Sequence, residues 1–240
     1  FNHEYLPRLK DFVAVVAQHP DLIRSSQRSY PSGCFDLQEL VRVITRSHTY
    51  QLSSTPNTYN LADRQNFSRY YPRRLQAEVL LDAIDDLTGV RTSFSNLPAG
   101  TRAVALPDNS YNRASEFLRV FGRPDSTSVC ECERIQTSSL AQSLHLINSG
   151  ELKNKLANNS GRAAQLAADT APSEDRLRQL YLTAFAREPR PDELATAIAY
   201  INEPQVDDAG QPVSADRAAK TNWQDVIWAL INSKEFLFNH

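Results

Sequence analysis

The sequence has no long hydrophobic run and no excess of charge of either sign. Its longest unbroken apolar stretch, Phe12 to Ala17, is far shorter than the roughly 20 residues that a membrane-spanning helix needs, so we expect no membrane insertion. The 240 residues carry 26 basic and 28 acidic side chains, a formal net charge of -2. No overall field therefore draws the chain to nucleic acid or to anionic lipid, and we expect no nucleic-acid partner.

The motifs of the common catalytic classes are also absent. The sequence contains no GxSxG elbow, no HExxH pair and no phosphate-binding loop, and its 5 histidines lie far apart. The CxxCH signature of covalently attached haem is missing, so we expect no haem and no cofactor beyond the metal considered below. These absences argue against a common hydrolase and leave catalysis unassigned.

Cysteine and methionine are scarce. Cys34, Cys130 and Cys132 are too few for a disulfide scaffold, and because their number is odd, at most one pair can form within the chain. The chain begins at Phe1 and contains no methionine. We therefore expect it to be part of a longer protein, and the lack of a signal peptide carries no information about its compartment.

Helical periodicity dominates the sequence that is present. Apolar residues at helical spacing, with Pro, Gly and polar caps at the ends, predict a series of helices. These begin near Leu6 (ending at His19-Pro20), after Asp36, at Pro72 (ending at Gly89), near Ala114, near Ser138, after Ser173 and at Pro191, with a last apolar helix over Trp223–Phe238.

Two of these helices carry more detailed expectations. In the helix after Asp36, the spacing predicts a buried stripe of Leu37, Leu40, Val41 and Ile44. In the helix that ends at Gly89, three carboxylates are expected on a solvated face: Asp82, Asp85 and Asp86.

Strand signals are weak by comparison. Only Arg91–Phe94 and Arg102–Leu106 indicate short extended pieces, and the segments 53–71 and 95–111 read as long loops. The predicted fold is therefore an all-α, irregular helical domain with long loops and at most a few short strands. We expect a helical region over 1–156, a candidate linker over 157–172, and a three-helix region over 173–240 packed on the first to form one continuous domain.

The segment Cys130–Arg134 is the first constellation that could carry chemistry. In an extended segment, Cys130 and Cys132 would share one face and the intervening glutamates the other. The thiols could form a disulfide, bind a metal or remain reduced structural thiols. A metal would need a further ligand, for which the candidates are Cys34 and His145. A lone histidine between leucines, such as His145, is more often structural than a ligand.

The second constellation runs from Arg64 to Arg74. Four arginines alternate there with three aromatic rings, which suits an anionic glycan or a nucleic-acid backbone. A structural interpretation competes with this one: Arg73 and Arg74 would begin a helix that carries acidic partners, and the tyrosines would belong to the core. A single basic stretch in an acidic protein argues against a dedicated nucleic-acid reader.

Six segments together resemble a known family. This set is similar to the planctomycete-type (PSD-type) domain of unknown function that closes large proteins, which often start with a cytochrome c module. The resemblance runs from about Phe35 to His240. The segments are Thr49–Asn57, Phe67–Leu75, Leu97–Arg102, Phe121–Pro124, Cys130–Arg134 and Asn232–His240.

The resemblance implies a setting but no catalytic residue. It implies a periplasmic or extracellular location, favours a disulfide, and suggests a role near polysaccharide processing or electron transfer. The motif arginines could form either an anion site or a buried ion-pair network, and the sequence leaves both open. The residues that carry over are Asn57, Arg69, Arg73, Arg74, Arg102, Arg123, Cys130, Cys132, Glu133 and Arg134.

We therefore expect an accessory module that packs against the preceding domains of its own polypeptide. It would bind an anionic or carbohydrate ligand through the motif residues together with Tyr70 and Tyr71. One alternative is an enzyme of the carbohydrate-processing or redox class, with its site at the Cys130/Cys132 loop beside Glu133 and Arg134. Another is a purely structural spacer.

Overall fold

The computed structural model describes residues 37–63, 65–107, 111, 115–124, 140–207 and 209–239. These residues form mainly helices joined by loops, with two short strands, which confirms the predicted irregular all-α fold. The chain divides into two compact units between Tyr71 and Pro72, and each is described here by itself. The helix expected from Leu6 to His19-Pro20 lies outside the described residues.

The first unit contributes one described helix, α1 (Leu37–Arg46), followed by a long loop up to Tyr71. The apolar stripe of α1 that was predicted to be buried is exposed. Leu40, Val41 and Ile44 have fractional exposures of 48%, 57% and 36%, and the side chain of Leu37 lies outside the described ones. Periodicity identifies the apolar face of a helix, but it does not say whether another element covers that face.

The second unit begins with a strand where a helix was expected. Strand β1 (Arg73–Arg74) pairs antiparallel with β2 (Phe238–Asn239), at the far end of the unit. The backbone N–H of Leu75 extends the pairing by donating to the carbonyl of Leu237 at 3.0 Å. The prediction that Pro72 opens a helix is therefore wrong. The backbone partners of this segment lie more than 160 residues away, where local periodicity cannot find them.

Helix α2 (Ala77–Thr88) runs through the centre of the second unit. Leu80, Leu81, Ile84 and Leu87 repeat at helical spacing and are almost completely buried. As predicted, the helix ends at Gly89, whose φ of 70° lies in the left-handed region that glycine adopts without a steric penalty.

The remaining elements surround α2. Neither of the two segments that were expected to form short strands does so. Arg91–Phe94 has no regular secondary structure, and Arg102–Leu106 contains a 3₁₀ helix. After this 3₁₀ helix (Ala103–Ala105) come α3 (Glu116–Val120), α4 (Leu140–Asn148), α5 (Gly150–Ala157), α6 (Arg162–Ala168), α7 (Ser173–Phe185), α8 (Pro191–Ile201), α9 (Ala215–Ile231) and α10 (Lys234–Leu237).

The last third of the chain packs on α2 through α7 and α9. Trp223, Ile227 and Ile231 lie on the buried face of α9, as their spacing predicted, and α6 packs along the same helix. Because α6 falls within 157–172, that segment is part of the packed structure, and the division into units lies at Tyr71 instead. The expected terminal helix ends at Ile231 and is followed by α10 and β2.

The end of α2 provides a test of this packing. Gly89→Ala places a β-carbon on a residue with a positive φ, and we expect the free energy of unfolding to fall by about 1–2 kcal/mol. Gly150→Ala is the matched control, because Gly150 is helical and has open space around it, so no loss is expected. Urea unfolding of both variants measures the two changes in unfolding free energy. Equal losses would contradict the left-handed conformation of Gly89.

Candidate functional site

Two carboxylates of α2 that were expected to face solvent are buried. Asp82 and Asp85 are 2% and 3% exposed, whereas Asp86 remains at the surface. A buried carboxylate is stable only when donors and cations replace the water that it loses. The expectation of a solvated face was wrong because these partners come from distant segments of the chain.

Asp82 anchors the 3₁₀ helix. Its carboxylate accepts hydrogen bonds from the backbone N–H groups of Ala103 at 2.7 Å and Val104 at 3.2 Å. Arg102, at the start of that helix, donates from Nε to Asp82 at 3.3 Å and from Nη2 to Asp86 at 3.2 Å. The Asp82 carboxylate therefore replaces the missing side-chain cap of the 3₁₀ helix.

Arg123 pairs with another acid of the same helix. Its Nε lies 3.1 Å from Oε1 of Glu78, and both side chains are buried. Of the two interpretations that the sequence left open for the motif arginines, the buried ion-pair network describes Arg123, whereas Arg102 pairs with Asp82 and Asp86 with its side chain about half exposed. Both contact α2 from segments that the sequence places well downstream of it.

Arg74 also makes contacts within the second unit, whereas Arg73 is exposed. The Arg74 Nη2 donates to the carbonyl of Phe121 at 2.9 Å, and its guanidinium lies 5.2 Å from the Phe121 ring. Burial lowers the pKa of Arg74. The Arg/Tyr stretch is thus divided between the two units, because Tyr71 ends the first and Pro72 begins the second.

The candidate residues of the first unit organise its long loop. The Asn57 side chain accepts from the backbone N–H groups of Tyr59 and Asn60 at 2.9 and 3.0 Å. The Arg69 guanidinium lies 4.7 Å from the Tyr71 ring, and Tyr70 is half-buried. These contacts leave Tyr59 at the surface with 97% of its area exposed.

Asp63 holds the second half of the same loop. The Ser68 hydroxyl and the backbone N–H groups of Asn66 and Gln65 donate to its carboxylate, and they hold its pKa well below the usual range. The Tyr71 hydroxyl donates to the Asp63 carbonyl at 2.8 Å. The loop is therefore ordered by its own polar side chains.

His145 has a packing role in the structure. Its ring meets the rings of Phe117 and Phe121 edge-on, with centroids 5.8 and 6.2 Å apart. Among the described residues, no three His, Cys, Asp or Glu side chains come together as a metal site. The other residues of the Cys constellation lie outside the described residues, so the metal and disulfide hypotheses stay predictions: Cys34, Cys130, Cys132, Glu133 and Arg134.

A buried cluster of polar side chains lies between α2 and α5. The Lys155 ammonium is 2.7 Å from Oδ1 of Asp85, 2.9 Å from Oγ1 of Thr92 and 3.1 Å from the carbonyl of Val90. All three of its hydrogens thus have acceptors. The other Asp85 oxygen accepts from the backbone N–H of Thr92 at 2.7 Å.

Glu151 lies one turn before Lys155 and is less well compensated. Both its oxygens accept from the Ser115 hydroxyl, at 3.1 and 3.2 Å. Burial raises the pKa of Glu151, and the nearby Lys155 ammonium opposes this shift. Together with His145, these two residues line a cavity of about 10 Å³, which has room for about one water molecule. A cavity of this size cannot admit an organic substrate.

A much larger open groove lies between α7, α8 and α9. Its volume of about 740 Å³ falls in the range typical of small-molecule sites. We call it the aromatic groove, because three aromatic side chains and a set of carboxylates line it with the apolar residues of α9. The lining residues are Tyr181, Asp192, Glu193, Thr196, Ala197, Tyr200, Asp225, Val226, Trp228, Ala229 and Leu230.

Two carboxylates of the aromatic groove differ in their partners. Glu193 binds both terminal nitrogens of Arg187 at 2.9 and 3.0 Å and Nη2 of Arg190 at 2.6 Å, and the Arg187 bonds lower its pKa to about 2. Asp225 instead accepts the Tyr200 hydroxyl at 2.8 Å, and this bond raises the pKa of Tyr200 to about 12. In the described part of the chain, no cationic side chain pairs with Asp225.

Sequence reasoning did not find the aromatic groove. A weak signal was present in α9, where Asp225 and Trp228 are three residues apart and fall outside the buried stripe of that helix. Tyr200 comes from α8 and Tyr181 from α7, so the groove exists only when three helices pack together. None of the predicted site residues lines it.

The buried cluster generates a stability prediction. Lys155→Met leaves the Asp85 carboxylate buried without its cation, and we expect a loss of about 3–5 kcal/mol in unfolding free energy. Arg119→Met is the control: it breaks the exposed pair with Glu116, which is worth less than about 1 kcal/mol. Similar losses in chemical denaturation would refute the assigned role of Lys155.

Glu151 generates a pH-dependent prediction. Because its pKa is higher in the folded chain than its ordinary value of 4.5, its neutral form stabilises the fold at low pH. That contribution disappears as the pH rises above 4.5 through the folded pKa. Glu151→Gln cannot lose a proton, so its unfolding free energy should exceed that of the original chain increasingly between pH 4 and pH 8. If the unfolding free energies of the two proteins change with pH in the same way, the raised pKa of Glu151 is refuted.

Comparison with known proteins places the chain in a family without assigning an activity. No described helix is both long and apolar enough to span a membrane. No curated protein and no solved structure matches the chain. A family model described as PSD1, Protein of unknown function (DUF1553), matches residues 9–201. The matched range begins upstream of Phe35 and ends before Asp225 and Trp228. Since this match covers about four fifths of its length, the chain belongs to the PSD1 family of unknown function.

Proposed function

We propose that this domain is a non-catalytic accessory module of a larger extracytoplasmic protein and that it binds a carbohydrate in the aromatic groove. The observation that carries the proposal is the groove itself, which combines a ligand-sized volume with aromatic and carboxylate side chains. The extracytoplasmic setting and the association with preceding domains rest on the resemblance of the six sequence segments.

The chemistry of the aromatic groove suits a sugar. A sugar ring has apolar faces formed by C–H groups and an edge of hydroxyls that donate and accept hydrogen bonds. Trp228 and Tyr200 supply flat amphipathic rings, and Asp192 and Asp225 supply acceptors beside them.

Glu193 is unsuited to act as the general acid of a glycosidase. A glycosidase needs one carboxyl group that stays protonated near neutral pH so that it can act as a general acid. Glu193, whose pKa is about 2, is ionised and tied to Arg187 and Arg190. It therefore cannot donate a proton to a leaving group, and its arrangement supports a recognition role.

The two tryptophans of the chain make the proposal testable. Trp228 lines the aromatic groove, whereas Trp223 is 1% exposed in the core, so a ligand in the groove should change the fluorescence of Trp228 alone. In titrations with a panel of oligosaccharides, we expect saturable binding, and Trp228→Ala should weaken it at least about tenfold, measured by calorimetry.

Tyr59→Ala is the control, because Tyr59 is another large aromatic residue and is exposed on the loop of the first unit. Its affinity should equal that of the original chain. If Tyr59→Ala removes binding and Trp228→Ala does not, the ligand site is the loop and not the aromatic groove. If no glycan of the panel binds, the proposed function is wrong.

A further inference from the structure

We infer that the aromatic groove selects glycans that carry free amino groups, such as glucosamine oligomers, over neutral and anionic glycans. This inference rests on the proposed function and specifies its ligand class. It differs from the sequence-based expectation of an anionic ligand, because the charge of the groove has the opposite sign to what an anion needs.

The lining of the aromatic groove is acidic. Three carboxylates line it, Asp192, Glu193 and Asp225, and its described lining contains no basic side chain. Glu193 is paired with Arg187 and Arg190, and Asp192 lies 3.8 Å from Nε of Arg190, so within the described part of the chain Asp225 carries the charge that no guanidinium offsets. Amino sugars bring ammonium groups that complement this charge, whereas carboxylated or sulfated sugars would be repelled.

The arginines nearest to the aromatic groove already form ion pairs. Arg187 binds Glu193 through both terminal nitrogens, and it binds Glu235 from Nε at 2.6 Å and from Nη2 at 2.7 Å. Arg190 binds Glu193 at 2.6 Å. An anionic ligand would have to displace these charge-assisted hydrogen bonds before it could use either guanidinium.

Asp225 is held beside the aromatic side chains of the groove. It lies three residues before Trp228 on α9, so both side chains project from the same face of the helix. The Tyr200 hydroxyl from α8 donates to Oδ2 of Asp225 and fixes the carboxylate between the two helices. A carboxylate beside aromatic rings is the arrangement that binds an ammonium group through both an ion pair and a cation–π contact.

The backbone around the groove favours a glycan over a basic peptide. The walls are helices whose backbone groups bond internally, so an extended peptide finds no strand edge to pair with. A sugar polymer needs no strand edge.

The test compares four hexasaccharides on the whole chain by calorimetry, at a pH where the amines are protonated: glucosamine, N-acetylglucosamine, glucose and galacturonate hexamers. The glucosamine hexamer should bind at least about tenfold more tightly than the acetylated or neutral hexamers, and the galacturonate hexamer most weakly. Added salt should reduce the preference for glucosamine.

Two variants assign the preference to one carboxylate. Asp225→Asn keeps the shape of the side chain and the bond from Tyr200 but removes the charge, so the glucosamine preference should disappear while neutral hexamers still bind. Tyr200→Phe keeps the charge of Asp225 but removes the hydrogen bond that orients its carboxylate, so it should reduce the preference for glucosamine only partially. Asp216→Asn, which removes an exposed carboxylate from the same helix outside the groove, should leave all affinities within about twofold.

The outcomes separate this inference from the proposed function. Equal binding of glucosamine and neutral hexamers, or a preference that survives Asp225→Asn, overturns the inference and leaves glycan binding intact. Failure of every hexamer to bind refutes the proposed function as well. Stronger binding of a lysine hexapeptide than of the glucosamine hexamer shows that the ligand is a basic peptide, which also overturns the inference.

Discussion

The second unit depends on the neutralisation of the buried acids on α2. Asp82 and Asp85 could not remain charged inside the core without donors, and an uncompensated buried charge costs several kcal/mol. Each donor therefore fixes the position of a separate element: Arg102 and Ala103 place the 3₁₀ helix, and Lys155 places α5. Hydrophobic burial brings these elements to α2, but the ion pairs determine how each one is oriented along it.

This constraint changes the meaning of the family motifs. Arginine-rich signatures suggest an anion site, yet Arg102 and Arg123 form ion pairs with Asp82 and Glu78 of the same chain. In this chain these residues stabilise the fold, so the motifs do not by themselves identify a ligand site. The aromatic groove contains none of the motif arginines: six of its eleven lining residues lie within the matched range of the family, whereas Asp225 and Trp228 lie beyond it.

The sequence predicted the helices because apolar spacing and caps are local properties. The α7, α8 and α9 stripes, and the end of α2 at Gly89, needed no knowledge of distant residues. The wrong predictions concern features that depend on residues far away in the sequence. Strand β1 pairs with the last residues of the unit, and Asp82 is buried by a segment about 20 residues downstream. Tyr200 and Asp225 meet only after α8 and α9 pack, so no single segment could reveal the groove.

The ion pairs at the edge of the aromatic groove also determine which charges the groove presents. Arg187 holds α8 and α10 together through Glu193 and Glu235, and each of its charge-assisted bonds contributes about 1.5–3 kcal/mol. Releasing it to bind a ligand anion would forfeit several such bonds, so its positive charge is not available to the groove. Neutralised in this way, Glu193 contributes little net charge. Asp225 is held by an uncharged phenol and not by a guanidinium, and this difference makes it the residue on which the proposed preference for amino sugars depends.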